Sequence, residues 1–315
     1  MLQHILTLDK DRYLIDGFDL GMAERTGSYV LAERDLTLIE TGPSLSVPFI
    51  KEGLSHLGFE SKDIKNIIVT HIHLDHSGGL GLLLQECPYA TVYVHKKGAR
   101  HLCEPRRLIQ GAKMVYKDEF DRLFDPVLPV DTDVIKVARH NSTLSIGRDA
   151  ALTFFETPGH ANHHIGIFDE KSGIFYSGDT LGVIYPSLKR TGIELVLPSA
   201  SPNQFDPDCM LASMELVQKV GPRRIAFGHF GLGEDPGAVY SQITYWLPLF
   251  METGHEHFLQ DGTHEQLKDA LFSKVKEYLQ NFTDDIPDEA YKSIELDLLI
   301  GSMGILDYYK RKSRQ

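Results

Sequence analysis

The sequence predicts an α/β protein with a helical C-terminal segment, and three observations carry that expectation. From Ser28 to about Phe230, short β-branched or apolar runs alternate with Gly, Pro and His turns, with helical patterns between them. Beyond Pro236 the strand signals vanish and helical ones continue toward the end of the chain. The 315 residues supply ample material for a core. Their 42% hydrophobic and 24% charged content, with a mean hydropathy of −0.19, is the balance of a water-soluble folded chain.

The best strand signals are Ser28–Ala32, Asp35–Glu40, Ile67–Thr70, Thr91–His95, Leu152–Glu156, Ile165–Phe168, Ile174–Ser177 and Ile225–Gly228. Between them, Val47–Leu57 and Gly79–Glu86 read as helices. Asp206-Pro207 reads as an N-cap with proline at the first helical position, opening a helix that ends at Gly221-Pro222. Its Met210, Leu211, Met214 and Val217 share one face, the pattern of a core stripe. Further on, Thr263 and Gln266 make a capping box ahead of Leu267, Leu271, Val275 and Tyr278 at helical spacing. A last helix follows Ile286-Pro287 toward Tyr309 and ends in a basic, solvated tail, Lys310–Gln315. This organisation divides the chain into a mixed part, 1–235, and a helical segment, 236–315. The stretch 100–150, rich in charge and carrying Pro126 and Pro129, reads as the least regular part and a candidate insertion over one edge.

Charge and cysteine usage exclude several classes. Against 44 Asp and Glu stand 32 Lys and Arg, and a net charge of −12 repels a polyphosphate backbone, which sets nucleic acid aside as a partner. Cys87, Cys103 and Cys209 are odd in number and far apart, as reduced thiols of a cytoplasmic protein would be. Met1–Lys10 lacks the basic and apolar regions of a signal peptide. No stretch approaches the roughly 20 apolar residues of a spanning helix, so no membrane partner is expected.

The chemistry is concentrated in Ile67-Ile-Val-Thr-His71-Ile-His73-Leu-Asp75-His76-Ser-Gly-Gly79, an apolar strand running into a polar loop and a glycine-led helix. Four good metal ligands lie within six residues, and neutral imidazole with carboxylate suits Zn²⁺ or iron. Unmetallated, three imidazoles and a carboxylate so crowded would be ordinary turn residues that repel when protonated. Thr157-Pro-Gly-His160, Gly178-Asp179-Thr180 and Gly228-His229 repeat the pattern of an apolar strand, a Gly-containing turn and a ligand-type residue. Taken singly, His160, Asp179 and His229 read as caps or hydrogen-bonding turn residues. Together they complete a set.

In order, spacing and strand-end context, His71-x-His73-x-Asp75-His76 with these three later elements resembles the metallo-β-lactamase-fold superfamily of dinuclear metallohydrolases, over about Ser28 to Phe230. The resemblance implies a four-layer αββα sandwich with the site where strand-end loops converge. It implies two divalent metal ions, zinc by preference with iron or manganese as alternatives. His71, His73 and His160 would hold one ion, Asp75, His76 and His229 the other, and Asp179 would bridge them. A bridging hydroxide would be the nucleophile, with Asp75 orienting it or handling a proton. Glu40, in Glu40-Thr41-Gly42, resembles the acidic residue near the site in that family; it is either a partner for a ligand imidazole N–H or an ordinary strand-end turn residue.

The remaining residues divide between bland and functional readings. His163 and His164 follow His160 where relatives often carry another histidine, and a structural imidazole is the stronger reading of His164. His255 and His257 lie two apart in a helical region and do not face one site. His4, His56, His95, His101, His140 and His264 have no ligand context. Relatives that open β-lactams typically lack a histidine at the position of His76 and carry cysteine at that of Asp179, so this pattern resembles the glyoxalase II-like and lactonase-like branches instead. The expected activity is hydrolysis of a small ester, thioester or lactone, with Leu181–Phe205 as a pocket wall and Tyr185, Lys189 and Arg190 as candidate anion-binding residues within it. An iron-dependent oxidoreductase of the persulfide-dioxygenase type and a non-catalytic binding module are the alternatives. The C-terminal helices would help hold substrate, pack on the sandwich or form a homodimer face.

Overall fold

Residues 5–314 are described by the computed structural model, and most of the strands lie in their first two-thirds. The first sheet contains β1 (Ile5–Asp9), β2 (Arg12–Asp16), β3 (Gly27–Leu31), β4 (Thr37–Ile39), β5 (Asn66–Ile68), β6 (Thr91–Val94) and β7 (Ile135–Val137) in that spatial order. Its first four strands form an antiparallel meander, and β4 to β7 are parallel. The second sheet draws on β8 (Thr143–Ser145), β9 (Ala151–Glu156), β10 (Ile165–Asp169), β11 (Ile174–Gly178), β14 (Arg224–Phe227) and β15 (Leu232–Gly233), while β12 (Val183–Ile184) and β13 (Val196–Leu197) make a separate hairpin.

The chain divides into two units. The first comprises Met1–Glu156, His163–Gly178 and Pro222–Leu232. Here successive residues of one strand serve opposite faces, because side chains alternate along a strand. Ile15, Leu38 and Ile67 pack with Val47, Ile50 and Leu54 of α1 (Val47–His56), whereas Leu14, Ile39 and Ile68 pack with Leu152, Ile165 and Ile167 of the second sheet. A helix layer and two sheets thus lie in this unit. The second unit, Thr157–Asn162, Asp179–Gly221 and Gly233–Gln315, is mainly helical, with a core that includes Met210, Trp246, Leu271, Leu298 and Ile305.

Along the chain, α2 (Leu74–Ser77) and α3 (Leu80–Leu84) follow the histidine-rich loop, and α4 (Lys96–Cys103), α5 (Arg106–Tyr116) and α6 (Phe120–Phe124) come next. The second unit holds α7 (Pro186–Lys189), α8 (Pro207–Val220), α9 (Pro236–Leu259), α10 (His264–Gln280) and α11 (Asp288–Lys312). The caps read from sequence are present: Asp206 accepts from Cys209 N, Gly221 closes α8 in the left-handed conformation, and Thr263 and Gln266 form a reciprocal box.

Four elements differ from, or add to, the sequence reading. The stretch 100–150 is more regular than expected: it carries α5 and α6, and contributes β7 and β8 to the two sheets. Its charged residues are the outer faces of amphipathic helices, and α5 buries none of its residues fully. The hairpin β1–β2 is an additional element, and α9 runs on through Pro248. α11 remains helical to Lys312, within the basic tail read as solvated, while His4 and Gln315 lie outside the described residues. Among the described residues no helix is long and apolar enough to cross a membrane.

Candidate metal centre

In the first unit, β4 and β5 run parallel with Ile39 opposite Ile68, so both strands end at one level and release their loops side by side. Glu40 follows β4 directly, with its backbone in the left-handed region (φ 65°), a conformation that costs a side-chain-bearing residue roughly 1–2 kcal/mol. Two bonds hold it there. One carboxylate oxygen accepts from the Thr70 amide at 2.6 Å, and the other lies 2.5 Å from His76 Nδ1. A carboxylate can only accept, so Nδ1 carries the proton and Nε2 keeps its lone pair. Of the two readings of Glu40, the structure therefore selects the partner of a ligand-type imidazole.

The loop after β5 brings the other side chains together. His71 is fully buried, with Nδ1 3.0 Å from Thr70 Oγ1. Its ring centre lies 4.6 Å from that of His73 and 4.2 Å from that of His76. Asp75 and His76 fall in the single turn of α2, and Asp75 Oδ2 lies 3.5 Å from His76 Nε2 and 3.6 Å from His229 Nε2. Asp75, His76 and His229 each offer a ligand atom within 4.8 Å of the others. His229 follows β14, whose end is fixed by Tyr29, its hydroxyl donating to Phe227 O at 2.5 Å. Two imidazoles and a carboxylate at this separation, one imidazole already set by Glu40, fit a divalent cation such as zinc or iron.

In the second unit, His160 and Asp179 lie together, with His160 Nε2 3.6 Å from Asp179 Oδ2. The turn that carries His160 has each of its carbonyls engaged. Thr180 Oγ1 donates to Thr157 O, Ser213 Oγ to Pro158 O, the Asp206 amide to Gly159 O and Ser201 Oγ to His160 O. Gly159 is obligatory there, because its φ is 137° and a Cβ would lie 2.4 Å from Met210 Cα. His160 Nδ1 pairs with Ser199 O at 2.9 Å, which again leaves Nε2 as the acceptor nitrogen, and Ser199 Oγ donates to Asp179 at 3.2 Å.

The other singled-out residues have structural surroundings. His164 is buried and stacks on His71 with ring centres 5.0 Å apart, as the structural reading expects. His95 caps α4, and His140 Nδ1 accepts from the Glu156 amide. His257 Nδ1 pairs with Thr253 O, and His255 stacks on Tyr309. Within the 181–205 loop, Tyr185 is buried in the apolar core, and the two cations already face acids: Lys189 pairs with Glu194 and Arg190 with Glu289.

Asp19 is a residue that sequence reasoning missed. It lies between β2 and β3, is 2% exposed, and burial pushes its carboxyl up to about 6. The charge of Asp75 pushes the same way, opposed by Arg25, His229 and His76, so Asp19 shares the electrostatic surroundings of the ligand group. Nothing in Gly17-Phe-Asp-Leu-Gly21 marks it, because its burial is produced by tertiary packing.

Fold and site together describe an α/β protein whose candidate metal ligands stand in the loops that follow strand ends. A family profile described as the metallo-beta-lactamase superfamily matches residues 24–229, and the chain belongs to that superfamily of metal-dependent enzymes. The metallo-beta-lactamase fold-containing protein ST1585 of Sulfurisphaera tokodaii is 26% identical over 208 residues, 65% of this chain and 72% of that protein, and its crystal structure superposes with a TM-score of 0.61 over 74% of this chain and 85% of that one. The metallo-beta-lactamase family protein TTHA1429 of Thermus thermophilus is 20% identical, with a TM-score of 0.66 over 98% of this chain and 95% of that one. An N-acyl homoserine lactonase of Bacillus thuringiensis is 26% identical over 179 residues, 56% of this chain and 60% of the lactonase.

Proposed function

We propose that this chain is a dinuclear metal-dependent hydrolase of small esters, thioesters or lactones. In this reading His71, His73 and His160 would hold one ion and Asp75, His76 and His229 the other, with Asp179 shared between them. The observation that carries it is the paired orientation of ligand imidazoles: Glu40 behind His76 and Ser199 O behind His160 each leave Nε2 as the acceptor nitrogen. Two divalent cations held there, zinc by preference, would lower the pKa of a bound water toward neutrality and polarise a carbonyl. The Asp75 side chain is 24% exposed, against 1% for His76 and 7% for His229, which supports a role for it in accepting a proton from the attacking water. The lactonase relative supports cyclic esters among the substrates.

All seven ligand residues lie within 1–235, which we take as the catalytic segment, with 236–315 as a helical segment beside it in sequence. The three cysteines are free thiols, which supports a reducing, cytoplasmic setting for a small-molecule substrate.

The test is metal analysis of protein purified without added metal, paired with a screen of thioesters, aryl esters and lactones on the same sample. Two ions per chain with turnover is the expected result, with metal lost in His71→Ala and Asp179→Ala, and turnover lost more than fold in Asp75→Ala. One iron without hydrolysis would favour the oxygen-dependent alternative. Wild-type metal content in the first two variants overturns the ligand assignment.

A further inference from the structure

The second unit contains a link between its C-terminal helix and the residues that orient His160 and Asp179, and the inference drawn from it rests on the reading that those two hold metal. Residues 199–201 serve both side chains at once. Ser199 O takes His160 Nδ1 at 2.9 Å, Ser201 Oγ donates to His160 O at 2.6 Å, and Ser199 Oγ donates to Asp179 Oδ2 at 3.2 Å. Ser201 and Ala200 are buried.

That segment is backed by α11. Gly304 is buried in the interior of the helix, where glycine is unfavourable relative to alanine, so its presence calls for a reason. The reason is contact. A Cβ at Gly304 would lie 2.8 Å from Ser201 C and 2.9 Å from both C and O of Ala200, and these are backbone atoms that cannot rotate away. Gly301, one turn earlier in the same helix, would meet nothing within 4 Å. Seven residues beyond Gly304, Arg311 donates to Phe205 O at 2.7 Å, and the next residue, Asp206, donates its amide to Gly159 O at 2.8 Å. α11 therefore holds both ends of the 200–205 stretch on which the His160 turn is seated.

We propose that α11 is a positioning element of the metal centre: the close approach at Gly304 sets Ser199 and Ser201, and through them the ring orientation of His160 and the carboxylate of Asp179. The C-terminal helix thereby tunes metal affinity without supplying a ligand. Partners that orient metal ligands are typically worth about 10–100-fold in affinity.

The experiment compares full-length wild type with Gly304→Ala, Gly301→Ala, Arg311→Ala and His160→Ala. Zinc affinity is read by competition with a chromophoric chelator, ligand geometry by the visible spectrum of the cobalt-substituted protein, and folding by thermal melts in chelator. Gly304→Ala is expected to weaken zinc binding by about tenfold and to alter the cobalt spectrum. Gly301→Ala, with the same gain in helix propensity, is expected to bind zinc as wild type does, and Arg311→Ala is expected to weaken zinc binding in the same direction as Gly304→Ala. Wild-type affinity and spectrum in a folded Gly304→Ala overturn the proposal. Where Gly304→Ala does not fold, Arg311→Ala decides, since it loosens the same helix without adding bulk, and wild-type zinc affinity in it has the same consequence. If His160→Ala keeps its zinc, the ligand reading fails and takes this inference with it. If His160→Ala loses zinc while the α11 variants do not, the inference alone fails.

Discussion

Replacing Glu40 by glutamine keeps the shape of the side chain and removes one charge. In the wild type one carboxylate oxygen accepts from Thr70 N at 2.6 Å and the other pairs with His76 Nδ1 at 2.5 Å, in surroundings where Glu40 is 2% exposed. The glutamine carbonyl can still serve Thr70, but the amide then turns an N–H toward an imidazole N–H. Two donors facing each other drive the imidazole proton to Nε2, the nitrogen that faces Asp75 at 3.5 Å and that would bind metal in the proposed centre. A hydrogen bond to a charged group contributes about 1.5–3 kcal/mol, and at about 1.4 kcal/mol per decade that corresponds to roughly 10–100-fold in metal affinity. The expected result for Glu40→Gln is zinc binding weakened by that factor in chelator competition, with the metal-free protein melting within about 8 °C of wild type. Zinc affinity within about twofold of wild type in a folded Glu40→Gln would refute the tautomer argument.

Two further predictions concern charges that the mechanism does not use directly. Arg12 is 1% exposed and pairs with Asp169, 0% exposed, at 2.5 Å. Arg12→Met leaves that carboxylate buried without its cation, and denaturant titration is expected to show a loss of about 3–5 kcal/mol. Because burial raises Asp19 from 3.8 to about 6, the folded state holds a proton there that the unfolded chain has released. The contribution of this group is therefore complete below about pH 4 and is lost as pH rises through about 6. Asp19→Asn in metal-free protein is expected to flatten that fall and to gain at most about 3 kcal/mol above pH 6; an unchanged stability profile over pH 4–7 would refute it.

The candidate ligand residues and the elements that carry them are legible in the chain alone. Apolar runs ending in Gly-containing turns place His71, His73, Asp75, His76, His160, Asp179 and His229 at strand ends, because short runs rich in β-branched and aromatic residues suit buried strands and such turns release the chain sharply. The caps of α8 and α10 are legible for the same reason, since a cap is a relation between residues three apart. Spacing along the chain is silent on which partner orients each imidazole. Glu40 lies 36 residues from His76 and Ser199 lies 39 from His160, and each pair meets only because strand register or loop seating brings distant ends level. Asp19 and Gly304 belong to the same class. One is defined by burial and the other by a backbone contact across more than a hundred residues, and both are properties of packing, which no local pattern encodes.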